Sequence, residues 1–153
     1  MEKIILILFL LLSGCVVKQY TVTYEYKEVF WLREYNNMLF LNVTLNGLPA
    51  KLLIDTGASK SLLDITKAKE YEFGYLAIST EQYVGLGGST DIHVVYDYEI
   101  EEFFTPFLGA DLSEITDRFL KNGIFVVGIL GADFLDIHNV VIDFRKNLMY
   151  KKR

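Results

Sequence analysis

The sequence contains few of the residues that build metal sites and disulfide frameworks. Among its 153 residues are one Cys and two His. A single Cys excludes an intrachain disulfide and a cysteine-based zinc site, and two His argue against a histidine-rich metal site. We therefore expect no metal ion in the functional site.

An excess of positive charge is also lacking. The chain has 15 Lys and Arg against 20 Asp and Glu, which gives a formal net charge of −5 at pH 7. Nucleic-acid binding needs a basic face that neutralises phosphates, so we expect no nucleic-acid partner. The sequence shows no internal repeat or low-complexity segment, and its length suits one domain.

The apolar segment near the N-terminus is too short to span a membrane. Ile4–Leu12 has nine residues, whereas a membrane-spanning helix needs about 20; this length is typical of a signal-peptide core. The following Leu12-Ser13-Gly14-Cys15 resembles the lipobox of bacterial lipoproteins, which implies cleavage before Cys15 and acylation of its thiol. We expect residues 1–14 to be a signal peptide and a lipid on Cys15 to anchor the chain to a membrane of the bacterial cell envelope. Which membrane face is involved stays open, and the alternative is an ordinary secretory leader with a chance Cys.

Alternating apolar and polar residues predict strands along most of the remaining chain. Asn46-Gly47 indicates a two-residue hairpin turn, because both residues tolerate positive φ. The predicted strands are Tyr20–Glu28, Leu39–Leu45, Ala50–Ile54, Tyr75–Val84, Ile92–Ile100, Phe125–Leu130, Val140–Phe144 and Leu148–Lys151. Helices are predicted at Lys60–Lys69, Glu114–Leu120 and Ala132–Ile137. These elements predict a mainly β fold, a partly closed and mainly antiparallel β-barrel with two or three short helices.

The candidate functional residues begin where a predicted strand ends. The apolar stretch Leu52-Leu53-Ile54 delivers Asp55 into a turn, followed by Thr56, Gly57, Ala58 and Ser59. This Asp-Thr-Gly segment resembles the active-site signature of aspartic proteases.

Two further segments agree with that resemblance. Val126-Val127-Gly128-Ile129-Leu130-Gly131, with Ala132–Leu135 after it, resembles the strand and short helix that support the catalytic loop in this superfamily; 74 positions separate Gly57 from Gly131. The turn Gly85-Leu86-Gly87-Gly88 stands between two predicted strands, where a retropepsin-like lobe has its flap. The chain therefore resembles a single-lobe, retropepsin-like aspartic protease. We assign residues 39–153 to this domain and residues 15–38 to an N-terminal extension or extra strands.

The resemblance implies hydrolysis of a peptide or protein substrate without a cofactor. Two adjacent carboxylates cannot both ionise, so the pair shares one proton and serves as acid and base towards a water molecule. Only Asp55 has the family's setting here, because the surroundings of Asp64, Asp133 and Asp143 do not match the signature. A catalytic pair therefore implies a homodimer with C2 symmetry, in which two copies of Asp55 meet.

The resemblance also implies roles for neighbouring residues. Thr56 would hydrogen-bond across the dimer axis. Gly57 would allow a close approach and a backbone conformation that a Cβ blocks, with its N–H near the carboxylate. Ala58 stands where pepsins have Ser, which implies a less acidic working pH. The implied loop supports are Ser59, Ile129, Leu130 and Gly131, and the implied flap and substrate-binding residues are Gly85, Leu86, Gly87 and Gly88.

Other interpretations stay open at this point. Asp55 could cap a turn, and residues 85–88 could form an ordinary hairpin loop. The same fold could hold an extended peptide in the envelope without cleaving it, or serve as a structural envelope protein with an incidental motif. The support helix is followed by a hairpin, Val140–Tyr150, rather than by the dimer strand of retroviral enzymes, which leaves the dimer contact open.

Overall fold

The computed structural model describes residues 26–85 and 88–152. The predicted signal peptide, Cys15 and the flap residues Leu86 and Gly87 lie outside the described residues. The strands are β1 (Tyr26–Tyr35), β2 (Met38–Leu45), β3 (Leu48–Ile54), β4 (Leu62–Asp64), β5 (Gly74–Gly85), β6 (Gly88–Tyr96), β7 (Leu108–Ala110), β8 (Val126–Leu130), β9 (Val140–Asp143) and β10 (Leu148–Lys152). The helices are α1 (Ser113–Leu120), α2 (Ala132–Ile137) and a single 3-10 turn at Ile65–Lys67.

These strands form one open sheet. Their order is β5-β6-β7-β4-β8-β3-β2-β1-β10-β9, so β5 and β9 lie at the two edges. Neighbouring strands pair antiparallel except in the pairs β3–β8 and β4–β7, which are parallel. Two parallel neighbours cannot be joined by a tight turn. In both pairs, a long stretch of chain separates one strand from the other in sequence. The prediction of a mainly β fold with two or three short helices is confirmed, and the sheet is not closed.

The turn between β2 and β3 forms at Asn46-Gly47, as predicted. Both residues have positive φ, 47° and 77°. The Asn46 side chain also reaches beyond its own hairpin. Its Nδ2 donates to the carbonyl oxygens of Tyr71 (2.8 Å) and Asp97 (3.1 Å). Its Oδ1 accepts from the Glu99 N–H at 2.7 Å. Asn46 therefore ties this hairpin to the turn before β5 and to the loop after β6.

Apolar side chains on the two faces of the sheet form two buried clusters. The larger cluster, here the main core, contains Leu52 of β3 and Leu130 of β8. The smaller cluster, here the site-side core, contains Leu53 of β3, Ile129 of β8 and Phe119 of α1. Because every second residue of a strand points to the same face, strand β3 contributes to both cores in turn.

The helices are short and lie on the sheet. The first turn of α1 follows Asp111, whose Oδ1 accepts the Ser113 N–H at 3.0 Å. The hydrogen bonds from Ser113 lower the pKa of the Asp111 carboxyl below its ordinary value. Within residues 26–85 and 88–152, none of the helices has the length and apolar character needed to cross a membrane.

The prediction of a helix at Lys60–Lys69 is wrong. The segment contains β4 and the 3-10 turn instead. β4 pairs with β8 on one side and with β7 on the other, and its three residues are buried. Local spacing of apolar residues indicated a helix, but pairing with two remote strands outweighs local preference. The partner β7 is three residues long, too short for a recognisable period.

β1 belongs to the same sheet as the predicted protease domain. It pairs with β2 and with β10, so it lies between the first hairpin and the C-terminal hairpin. Part of the predicted strand Tyr20–Glu28 falls outside the described residues. The boundary at residue 38 stays a prediction.

We predict that Asn46→Gly destabilises the fold by about 2 kcal/mol, because Gly keeps the positive φ but loses the side-chain hydrogen bonds to two loops. The matched control is Asn37→Gly, at an exposed turn residue with φ of 62°. Its side chain makes no hydrogen bond among the described residues, so we expect a change below about 0.5 kcal/mol. Urea unfolding measures both, and equal effects would contradict the role of Asn46.

Candidate active site

The Asp55 turn begins where β3 leaves the centre of the sheet. β3 is held between β2 and β8. The Asp55 N–H still donates to the Leu130 carbonyl at 3.0 Å, and the Ala58 N–H then donates to the Asp55 carbonyl at 3.2 Å. The backbone of Asp55 is therefore fixed by the sheet on one side and by the turn on the other.

The Asp55 carboxylate is half-buried and opens towards solvent. Its Oδ1 accepts the Gly57 N–H at 2.8 Å. Its Oδ2 has no hydrogen-bond partner within the described chain. Thr56 and Gly57 beside it are exposed. One carboxylate oxygen is thus oriented by the backbone, and the other is free to contact water, substrate or a second carboxyl group.

Gly57 stands close to the Asp55 carboxylate, and its φ lies in an ordinary region. Its φ lies outside the left-handed region, so the conformational part of the expectation for Gly57 is wrong. A Cβ at this position would lie 3.2 Å from Oδ1 of Asp55, which is tighter than an ordinary contact. The absence of a side chain lets the N–H approach the carboxylate.

The predicted support segment lies directly against the Asp55 turn. Leu53 pairs with Ile129, and Ile54 pairs with Leu130. Beyond the strand, the Ala132 N–H donates to the Ala58 carbonyl at 2.7 Å.

At Gly131 the two segments are so close that a side chain would not fit between them. A Cβ on Gly131 would lie 2.6 Å from the carbonyl carbon and oxygen of Lys60 and 2.8 Å from the Ala58 oxygen. Gly128, earlier in β8, is equally constrained, because its Cβ would collide with the Leu62 carbonyl oxygen. Backbone atoms cannot move aside as side chains can, so both positions require glycine.

Two other predicted residues, Thr56 and Ser59, are exposed. Neither side chain makes a hydrogen bond within the described chain. The proposed hydrogen bond of Thr56 across a dimer axis stays a prediction, as does a supporting role for Ser59.

Two residues of the site were missed by the sequence analysis, Ser61 and Asp133. Ser61 Oγ donates to Asp133 Oδ1 at 2.7 Å and accepts the Gly131 N–H at 3.1 Å. Ser61 is fully buried. The available signal was a Ser and an Asp just after the two matched motifs, but nothing in the sequence indicates that residues 72 positions apart are in contact.

The carboxylates of Asp64 and Asp143 accept hydrogen bonds that stabilise the fold. Asp64 is the last residue of β4, and it is fully buried. It accepts hydrogen bonds from Thr66, Leu112 and Thr116. Asp143 accepts the N–H groups of the next turn.

The flap prediction is only partly within the described residues. Gly85 pairs with Gly88 at the tip of the β5–β6 hairpin, with Leu86 and Gly87 between them. Their role in substrate binding stays a prediction. No group of three or more potential metal ligands occurs in residues 26–85 and 88–152.

Comparison with protein families identifies the chain. Residues 41–134 match the family described as aspartyl protease, which is more than half of the sequence. The chain belongs to the aspartyl protease family. The matched range contains Asp55, the support strand β8 and the start of α2. No curated protein matches this aspartyl protease.

Several solved structures are similar to this family member at low sequence identity. A retropepsin-like aspartic protease from Rickettsia conorii has 20% identity and a TM-score of 0.48, over 88% of this chain and 96% of that chain. The EIAV protease in complex with the inhibitor HBY-793 has 22% identity and a TM-score of 0.48, over 72% and 99%. The retroviral protease-like domain of Ddi1 from Leishmania major has 18% identity and a TM-score of 0.43, over 76% and 92%.

We predict that Gly131→Ala destabilises the fold by about 2–3 kcal/mol, because a methyl group would press on the backbone of the Asp55 turn. The control is Gly57→Ala, where the nearest atom is the end of the half-buried Asp55 side chain at 3.2 Å, which can move slightly, so the expected loss is below about 1 kcal/mol. Chemical denaturation of both variants measures the difference. A Gly131→Ala protein as stable as the wild type would show that the two segments are not in this close contact.

Proposed function

We propose that the protein is an aspartic endopeptidase that acts as a homodimer, with one Asp55 from each copy in a shared active site. The Asp55 carboxylate carries this proposal. It ends a buried strand, one oxygen is held by the Gly57 N–H at 2.8 Å, and the other has no hydrogen-bond partner within the described chain. Membership of the aspartyl protease family supports the same chemistry.

In this proposal, two carboxyl groups share one proton and hold a water molecule between them. The ionised carboxylate takes a proton from the water, and the water oxygen attacks the carbonyl carbon of the peptide bond. The protonated carboxyl stabilises the carbonyl oxygen as negative charge develops there. When the C–N bond breaks, the carboxyl group that took the proton from water transfers it to the leaving nitrogen. Neither a metal nor an organic cofactor is needed in these steps.

Asp64 and Asp133 are poor sources of the second carboxyl group. Asp64 is fully buried and bonded to four donor groups. Asp133 accepts two hydrogen bonds on Oδ1 and lies in the first turn of the support helix. Because neither repeats the setting of Asp55, a second copy of the chain is the proposed source.

We also propose that the protein is a lipoprotein of the bacterial cell envelope, anchored through Cys15. The support is the sequence alone: an apolar segment of nine residues leads to Leu12-Ser13-Gly14-Cys15, and acyl chains bind a membrane by burying their hydrocarbon.

We predict that Asp55→Asn lowers peptide cleavage by roughly 10²- to 10⁴-fold, because an amide cannot take the proton from water. The fold should be unchanged, since the side-chain oxygen can still accept the Gly57 N–H. Cleavage of a peptide library, followed by mass spectrometry, measures the loss. A fully active variant would exclude this mechanism, and a wild-type protein that binds peptides without cleaving them would favour a binding module.

A mixing experiment tests whether the site is shared between two copies. Wild type and Asp55→Asn, mixed in equal amounts and left to exchange, should lose about half of the activity per wild-type chain, because half of the wild-type chains then face an inactive partner. Activity that is unaffected by the mutant chain would show that one copy is sufficient.

We predict that Cys15→Ser releases the protein from the membrane fraction, because the acylated thiol is lost. The wild-type chain should show the mass of an acylated Cys15. The soluble Cys15→Ser variant should cleave peptides as the wild type does when it forms dimers. A wild-type chain without lipid would contradict the anchor and leave the catalytic proposal unaffected.

A further inference from the structure

A buried hydroxyl and a carboxylate connect the Asp55 turn to the support helix. Ser61 is the last residue of the turn before β4, and Asp133 is the second residue of α2. Ser61 Oγ lies 2.7 Å from Asp133 Oδ1 and 3.1 Å from the Gly131 nitrogen. Ser61 is 0% exposed, whereas Asp133 is partly exposed, so the Ser61 hydroxyl itself is shielded from water.

The directions of these hydrogen bonds are determined by chemistry. An ionised carboxylate only accepts, and a serine hydroxyl has one hydrogen to donate. The hydroxyl hydrogen therefore points to Asp133, and the Ser61 lone pair accepts the Gly131 N–H. Asp133 Oδ1 also accepts the Phe134 N–H at 2.8 Å, which orients the carboxylate from its own helix. Hydrogen bonds in such a chain polarise and strengthen each other.

The Ser61–Asp133 pair lies beside the backbone contacts that position the turn. The Asp55 N–H donates to the Leu130 carbonyl (3.0 Å), and the Ala132 N–H donates to the Ala58 carbonyl (2.7 Å). Both hydrogen bonds join the Asp55 turn to the support segment, and the hydrogen bond between Ser61 and Asp133 joins the same two segments. A shift of residues 131–133 would therefore be transmitted to the backbone on both sides of the carboxylate.

We propose that Ser61 and Asp133 are positioning residues, which hold the Asp55 turn against the support segment and so set the orientation of the Asp55 carboxylate. This inference rests on the proposed function for its effect on catalysis. The pair acts through the backbone. None of the side-chain hydrogen bonds of Ser61 and Asp133 involves Asp55.

The other end of β4 provides a matched control. Thr116 Oγ1 donates to Asp64 Oδ2 at 2.7 Å, and both residues are buried. This hydroxyl–carboxylate pair has the same bond length as the Ser61–Asp133 pair, but it joins β4 to α1 and none of its hydrogen bonds involves the Asp55 turn. Thr116→Val removes the hydroxyl and keeps the shape of the side chain.

The test compares Ser61→Ala, Asp133→Ala, Asp133→Asn and Thr116→Val in the full-length chain. Activity is measured well below the melting temperature of each variant. We expect Ser61→Ala and Asp133→Ala to lower kcat roughly 10- to 100-fold with KM changed less than about threefold, because a misplaced carboxylate weakens the transition state more than substrate binding. Asp133→Asn retains an oxygen that can accept from Ser61, so it should recover most of kcat. Thr116→Val should lower the melting temperature and leave kcat within about twofold.

A second readout does not depend on cleavage. The amide proton of Gly57 binds Asp55 Oδ1, so its NMR chemical shift reports the position of the carboxylate. We expect this resonance to move in Ser61→Ala and Asp133→Ala, and to stay in place in Thr116→Val. If the wild type cleaves no peptide while the resonance moves as expected, the proposed function fails and the positioning role holds. If kcat and the Gly57 resonance respond to Ser61→Ala no more than to Thr116→Val, the pair is merely structural and the inference is overturned.

Discussion

The close contact between the Asp55 turn and the backbone of residues 130–132 is the constraint on which the site depends. Asp55 and Ala58 each exchange a main-chain hydrogen bond with this segment, at 3.0 and 2.7 Å. Such spacing leaves no room for a side chain between the segments, and Gly131 meets that requirement. An aspartate in an unsupported loop would sample many positions. Here the loop is fixed to a strand that is itself in the centre of the sheet.

The alternation of β3 places the Asp55 carboxylate beside an apolar core. Leu52 belongs to the main core and Leu53 to the site-side core. Asp55, two residues after Leu53, continues the face of the site-side core. That core is completed by Phe119 of α1, which lies edge-to-face on Phe40 at a centroid distance of 5.1 Å. The carboxylate therefore stands at the border between a packed apolar cluster and solvent, which is a suitable place for a group that must be rigid and accessible.

A hydroxyl–carboxylate pair with a buried hydroxyl is present at each end of β4. Ser61 and Asp133 join the start of the strand to α2, and Asp64 and Thr116 join its end to α1. Buried polar groups are costly unless they are hydrogen-bonded, and the buried Ser61 and Thr116 hydroxyls and the buried Asp64 carboxylate all have hydrogen-bond partners. Because each pair has a demanding geometry, it specifies how a helix sits on the sheet, which apolar packing alone would specify less strictly. The two pairs thereby attach both ends of a three-residue strand to the helices.

Local sequence was sufficient for the hairpin at Asn46-Gly47, for α2, and for most of the strands, because φ preferences, turn chemistry and alternation act between near neighbours. The segments around Asp55 and around Gly131 could each be recognised as family-like because each pattern is contiguous in the chain, whereas the catalytic role of Asp55 stays a prediction. The strand β4 was mistaken for a helix because its structure comes from pairing with β7 and β8, which are far away in sequence. Ser61 and Asp133 were missed for the same reason, as their contact spans 72 positions. The residue types at the site were thus encoded locally, whereas the hydrogen bonds that hold them in place arise only when the folded sheet brings distant segments together.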